Sequence, residues 1–442
     1  MTEPMHQVDT LISASWIAPV IPERTLLEDH TLVLHKHRII DLLPSEQAIL
    51  QYQAQDHFEL RDHLVIPGLV NTHGHAAMTL LRGYADDEPL MVWLNDHIWP
   101  VEGQFVNYDF VKDGTSLAIA EMLRSGTTCF SDLYFFPDAV AQTATEMGIR
   151  VQICVPVVQF ANVWAQSEEE HIHKGLGVHD DFRSSEYVHT CFGPHSPYVV
   201  SDAGLQRIMV LSEELDIPIQ MHVHETREEV QEALQATGVR PLQRLHELGL
   251  LSPGFQAVHL TQLDSDDIRL LAENSVHALH CPESNLKLAS GFCPVGELLD
   301  AGVNVALGTD GAASNNDLDM LGEMKTAALL AKTVHGNTTT LDAWTTLKMA
   351  TLDGARALGL DDDLGSLEPG KLADVVAIDM SSLESQPIYH PLSQLVYTRT
   401  GHKVSHVWVN GELLLKDRQF TEIDQDRIIA TTRSWQQKIA EK

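Results

Sequence analysis

An α/β fold is what the sequence predicts, on two observations. Through the middle of the chain, eight β-rich apolar segments alternate with helical patterns, and at both ends short alternating runs share one texture. Together they give a (β/α)8 TIM-like barrel with a small β-sandwich formed by both chain ends. The 442 residues are enough for a large barrel and a companion domain.

The elements follow in chain order. Residues 1–64 hold the runs Thr10-Leu11-Ile12, Thr31-Leu32-Val33-Leu34 and Arg38-Ile39-Ile40, separated by turn residues, which read as strands. The barrel is expected over 65–364, with strands at 63–72, 127–133, 150–156, 187–193, 217–222, 256–260, 276–281 and 303–308. Helical spacing fills intervals such as 115–125, 139–147, 204–214, 228–235 and 265–274. Residues 365–442 return to strands at 373–378 and 406–409 and close with a helix over 424–440. A doubly wound open sheet is the alternative, but no glycine-rich turn follows the first strand to support a dinucleotide site.

Composition removes several function classes. The apolar fraction is 44% and the charged fraction 21%, as in globular proteins. Acidic residues number 62 against 29 basic ones, a net charge of −33. Such a field repels phosphate backbones and anionic lipid, so neither nucleic acid nor a membrane is expected as a partner. No apolar run reaches the length of a membrane span, and MTEPMHQVDT lacks a secretory pattern, so the expected compartment is the cytoplasm. The five cysteines (Cys129, Cys154, Cys191, Cys281 and Cys293) form no CxxC, which argues against a disulfide framework or a thiolate zinc site.

Histidine is the unusual component, at 24 residues. At that frequency about one HxH pair arises by chance. The chain has His35/His37, His73/His75, His171/His173 and His222/His224. Position separates them, because barrel chemistry sits beyond the carboxyl ends of the strands. His35/His37 lie at an N-terminal turn, and His171/His173 in a polar acidic stretch, so both pairs read as solvated surface. His73 and His75 end the first barrel strand, where residues two apart point the same way, and Gly74 between them permits close backbone approach. His222 ends the fifth strand, His259 the sixth, and Asp310 follows the eighth. Imidazoles and a carboxylate converging on one rim point to a metal site.

These residues sit in longer motifs: PGLVNTHGHAAMTLLRG, GPHSPYVVS, HVHETREE, HCPESNLKLASG, GTDGAASNN and GSLEPGKLADVVAID. In combination, over nearly the whole chain, they resemble the amidohydrolase superfamily. The similarity is greatest to its branch of 5-methylthioadenosine/S-adenosylhomocysteine deaminases, near triazine hydrolases and other aminohydrolases. The resemblance implies that His73, His75, His222 and Asp310 hold one divalent metal ion, zinc by preference, with iron accepted by the same ligand set. A second metal on a carbamylated lysine is not expected. Between His75 and His222 the lysines are Lys112, in a helical pattern, and Lys174, in a polar loop.

The implied reaction is hydrolytic deamination at C6 of an adenosine-type nucleoside, with 5′-methylthioadenosine, adenosine and S-adenosylhomocysteine as candidates. Glu225, three residues past His222, is the candidate acid for the purine N1. Asp310 would take the proton of the attacking water and pass it to the amine, and His259 would orient the nucleophile. By resemblance, Glu102 would accept the ribose hydroxyls, with His195 beside it and Ser314 lining the same pocket together with Glu225 and Asp310. Between 151 and 186 only Lys174 and Arg183 are basic, and the loop after the third strand reads Val157-Val158-Gln159-Phe160-Ala161-Asn162-Val163-Trp164. That loop suits a methylthio group better than an amino-acid zwitterion. Rival readings are an aminohydrolase for guanine, a pterin or a chlorotriazine, and a scaffold without activity. A homo-oligomer is expected by analogy alone.

Three other motifs are set aside. Residues 365–371 approach a P-loop, but Leu372 replaces the required hydroxyl residue and a strand follows. Neither the HxE/PCxxC deaminase signature nor GxSxG occurs.

Overall fold

The computed structural model describes residues 5–441. Sixteen strands in chain order build two sheets among these residues: β1 (His6–Ile17), β2 (Leu27–His35), β3 (Arg38–Pro44), β4 (Tyr52–Pro67), β5 (Leu69–Asn71), β6 (Thr127–Leu133), β7 (Arg150–Val157), β8 (Val188–Pro194), β9 (Ile219–Val223), β10 (Phe255–His259), β11 (His277–His280), β12 (Asn304–Leu307), β13 (Val375–Asp379), β14 (Val404–Val409), β15 (Glu412–Lys416) and β16 (Gln419–Phe420). Strands β5 to β12 pair in parallel in sequence order. The barrel ends meet where the Thr72 N–H donates to the Leu307 carbonyl at 3.0 Å and the Thr72 hydroxyl donates to the same oxygen at 2.8 Å. Gly308 makes that approach possible, since a Cβ there would stand 2.8 Å from the His73 nitrogen. Gly74 is not the close approach that the sequence suggested, because a Cβ on it would meet nothing nearer than 3.5 Å.

Every residue of β6 and β7 is buried, as expected for strands covered on both faces. Four of the covering helices start on side-chain caps: Asn107 before Tyr108–Arg124, Ser167 before Glu168–Phe182, Ser201 before Asp202–Leu215 and Thr226 before Arg227–Thr237. Each supplies an oxygen to a backbone N–H that the helix itself leaves unpaired.

The second sheet runs β16-β15-β14-β13-β4-β1-β2-β3 and so draws on both chain ends. The run 63–72, expected as one barrel strand, is two strands. Pro67 ends β4 in the end sheet, and Gly68 crosses into β5 where a Cβ would fall 2.0 Å from the Thr128 hydroxyl. Two further expectations change. Lys174 lies in the helix Glu168–Phe182 rather than in a loop, and His171 on the same helix is fully buried rather than solvated. Helical periodicity turns His171, Ile172, Gly175 and Val178 inward despite their acidic neighbours. His171 Nδ1 donates to the Ser167 carbonyl at 2.8 Å, and Nε2 meets the Asn162 amide at 2.8 Å. The closing helix is Gln425–Ala440. No helix among the described residues is long and apolar enough to cross a membrane.

Arg150 joins the two sheets. Its guanidinium, 2% exposed, reaches the Asp374 carboxylate at 3.3 Å and the Asn410 side chain at 3.3 Å, and stands over the Tyr187 ring. Replacing Arg150 with Met should leave Asp374 buried without its cation and cost about 3–5 kcal/mol. A chemical denaturation series reads this as a lower midpoint with an unchanged slope.

Candidate active site and metal centre

The carboxyl ends of four barrel strands bring their residues to one point. His73 and His75 follow β5, His222 lies in β9, His259 ends β10 and Asp310 follows β12. The ligand atoms of His73, His75 and Asp310 all lie within 4.8 Å of one another, as do those of His73, His222 and His259. His75 Nε2 stands 3.2 Å and His73 Nε2 3.5 Å from Asp310 Oδ1. The Asp310 N–H donates to the His73 carbonyl at 3.0 Å, tying the first strand end to the eighth.

Each imidazole is fixed from behind. His73 Nδ1 donates to Gln220 Oε1 at 2.7 Å, His75 Nδ1 to the Leu133 carbonyl at 2.6 Å and His222 Nδ1 to the His195 carbonyl at 2.7 Å. The Gln220 amide orientation is set by its NH2, which faces the Thr72 carbonyl, the Ser131 hydroxyl and Gln256 Oε1. With the protons of His73 and His222 on Nδ1, their Nε2 lone pairs face inward. His73 Nε2 and His222 Nε2 are then 3.1 Å apart with no proton to share between them. Burial first, then the neighbouring imidazoles, holds His222 well below its usual pKa. Burial also works against protonation of His75, yet the Asp310 carboxylate draws it up to about 9. A divalent cation satisfies both features, pairing the opposed nitrogens and replacing the proton between His75 and Asp310. The donor set therefore fits such an ion.

Around this point lie the groups that would handle a substrate. Asp310 Oδ2 accepts the Ser284 hydroxyl at 2.6 Å and the Ser314 hydroxyl at 3.0 Å, so Ser314 turns towards Asp310. His259 Nδ1 donates to Asn285 Oδ1 at 2.9 Å, leaving Nε2 3.9 Å from the Glu225 carboxyl. Burial first, then the Asp310 charge, pushes Glu225 up to about 8. His195 packs against His222 with ring centroids 4.6 Å apart; burial lowers it to about 4, and its Nδ1 has no partner among the described residues. Glu102 sits buried on the helix Trp99–Phe105, and burial raises its carboxyl to about 7. Tyr134 donates to Glu102 Oε1 at 2.5 Å.

Backbone strain accompanies the site. His224, His259 and Asp310 have φ of 54°, 74° and 62°, left-handed values that cost free energy unless packing enforces them. The HxH spacing does not bring His224 into the cluster. The left-handed turn directs it to Gln262 O and the Leu242 N–H, both at 3.2 Å, where it is a satisfied structural residue.

Sequence reasoning missed Gln220, Ser284, Asn285 and Tyr134. Gln220 and Gln256 had a readable signal, as polar residues inside otherwise apolar barrel strands. Ser284 and Asn285 stood in the HCPESNLKLASG motif without an assigned role.

The chain is similar to known proteins over nearly its whole length. The model of the amidohydrolase family matches residues 64–414. The 5-methylthioadenosine/S-adenosylhomocysteine deaminase of Teredinibacter turnerae is 52% identical, over 98% of this chain and 98% of its own. The crystal structure of a zinc-bound adenosine deaminase from Xanthomonas campestris is 47% identical, with a TM-score of 0.98, covering 99% of this chain and 100% of that one. Atrazine chlorohydrolase from Arthrobacter aurescens, at 23% identity over 96% of this chain and 99% of its own, shares the fold with a TM-score of 0.89. The chain belongs to the amidohydrolase family, in its branch of 5-methylthioadenosine/S-adenosylhomocysteine deaminases.

Proposed function

We propose that this protein is a metal-dependent hydrolase that removes the 6-amino group of an adenosine-type nucleoside, converting 5′-methylthioadenosine to 5′-methylthioinosine. The observation that carries the reading is the cluster of inward-facing Nε2 lone pairs and Asp310 beside a shielded Glu225 and a buried Glu102. The names of the relatives support the reaction class. His73, His75, His222 and Asp310 would hold one zinc ion. When bound, that ion supplies Lewis acidity that makes a water nucleophilic near neutral pH.

The protein groups do the rest. Glu225, protonated at neutral pH because burial raises it to about 8, gives its proton to N1 as C6 becomes tetrahedral. Asp310 takes the proton of the attacking water and passes it to the amino group, which leaves as ammonia, while the remaining proton on the C6 oxygen returns to Glu225 as the carbonyl forms. His259, held by Asn285, orients the nucleophile through Nε2. Glu102 reads the ribose hydroxyls, which a free base or a triazine lacks. His195, packed against His222, would add a donor or acceptor to the nucleoside.

Loss of the ultraviolet band of the 6-amino purine with ammonia release, on protein of measured metal content, tests the reaction. Methylthioadenosine should give a higher kcat/KM than S-adenosylhomocysteine. Of the basic residues at 151–186, Lys174 is taken by Glu170 and the Trp164 carbonyl, and Arg183 faces Asp180 at the surface. Glu225→Gln should keep its metal and lower kcat by about 10²-fold or more, read by steady-state kinetics beside metal analysis. Gln220→Ala should weaken metal affinity by about 10–100-fold through the freed His73 ring, measured by competition with a chelator.

A further inference from the structure

Two consecutive residues, the last of β6 and the one after it, touch two different parts of the site. The Leu133 carbonyl accepts from His75 Nδ1 at 2.6 Å, and the Tyr134 hydroxyl donates to Glu102 Oε1 at 2.5 Å. Both residues are buried, and the Tyr134 ring lies 6.5 Å from the His75 ring. The backbone at 133–134 therefore fixes the distance between the metal cluster, where the purine C6 would react, and the carboxylate that would take the ribose. Tyr134 is the one hydrogen-bond donor to the Glu102 side chain among the described residues. Its single proton occupies Oε1 on one side and leaves Oε2 and the second lone pair of Oε1 as acceptors. Without that bond, a glutamate on a short helix can rotate, and a carboxylate buried from water loses its only stabilising donor.

We propose that Tyr134 is a specificity-determining positioning residue, whose hydroxyl aims the Glu102 carboxylate at the 2′ and 3′ hydroxyls of the nucleoside. Tyr134 does not touch the substrate, and it acts through Glu102. The proposal rests on the reading of Glu102 as the ribose acceptor, and the experiment separates the two.

Kinetics on the metal-loaded enzyme, with adenosine and with its 2′,3′-dideoxy analogue, provide the test. Tyr134→Phe keeps the ring and removes only the hydroxyl. With adenosine its KM should rise about tenfold or more while kcat stays within about threefold, the pattern of lost substrate positioning. With the dideoxy analogue, parent and variant should be equal. In a Glu102→Gln background the same substitution should have little further effect, since its target carboxylate is already gone. Metal content and melting temperature of Tyr134→Phe, measured alongside, should match the parent. An equal loss on both nucleosides, or a fall in metal content that accounts for the loss, overturns the proposal and leaves Tyr134 a packing residue. No change on adenosine overturns it as well. If Glu102→Gln itself handles the two nucleosides with the parent's ratio, the reading of Glu102 falls and Tyr134 loses its role with it.

Discussion

Opposed nitrogen lone pairs in a buried space are the constraint on which this structure depends. His73 and His222 point Nε2 at Nε2 across 3.1 Å, and each Nδ1 proton is already committed to an oxygen behind it. Burying polar groups without partners costs free energy, and here the partners cannot satisfy each other. A cation resolves the conflict, so the cluster is organised for an ion before any ion arrives. Parallel strands ending at one rim supply a rigid frame, and the left-handed backbone at His259 and Asp310 is strain that the surrounding packing bears.

The barrel interior serves the same constraint. Gln220 links His73 to Gln256, and Gln256 donates onward to the Ala357 carbonyl at 2.8 Å. These amides are fully buried, and each polar contact they make removes a way for the imidazole to turn. On the other side, Glu323 is buried and pushed well above its ordinary pKa by that burial, yet it accepts from the Glu283 N–H at 3.2 Å and from the Asn315 amide at 2.5 Å. Asn315 in turn donates to the Thr309 carbonyl at 2.7 Å, the residue before Asp310. The segment that carries the carboxylate is thus braced by side chains that never reach the centre.

Much of this was legible in the sequence, for physical reasons that also mark where legibility ends. The strand expected at 150–156 falls within β7, because a doubly covered parallel strand is a nearly unbroken apolar run, here Val151, Ile153, Cys154, Val155 and Val157. The strand ends carrying His73, His222, His259 and Asp310 were readable, because polar residues closing such runs are conspicuous. The run 63–72 misled, since hydrophobicity continues across Gly68, where Pro67 ends β4 and the chain passes against the Thr128 side chain into β5. His171 misled because local acidity outweighed the helical period. His222 and His224 share the spacing of His73 and His75, yet a single backbone dihedral at His224 divides their fates. Gln220 reaches His73 across 147 positions, and Tyr134 reaches Glu102 across 32, contacts that no local pattern encodes.

The loop after β9 shows how ordinary helix chemistry becomes part of such a site. Thr226 caps the helix Arg227–Thr237 by accepting the Glu229 N–H at 3.2 Å, the first half of a familiar capping arrangement. The Glu229 carboxylate turns back, but it passes beyond the cap and accepts the N–H groups of His224 at 2.9 Å and Glu225 at 2.7 Å. Those two bonds hold the left-handed turn at His224, and that turn is what sends His224 into the packing and Glu225 towards His259. A carboxylate whose local task is to finish a helix therefore determines where the acid beside the imidazoles stands. Helix start, backbone strain and acid placement are one structural event, and the eight residues from His222 to Glu229 contain all of it.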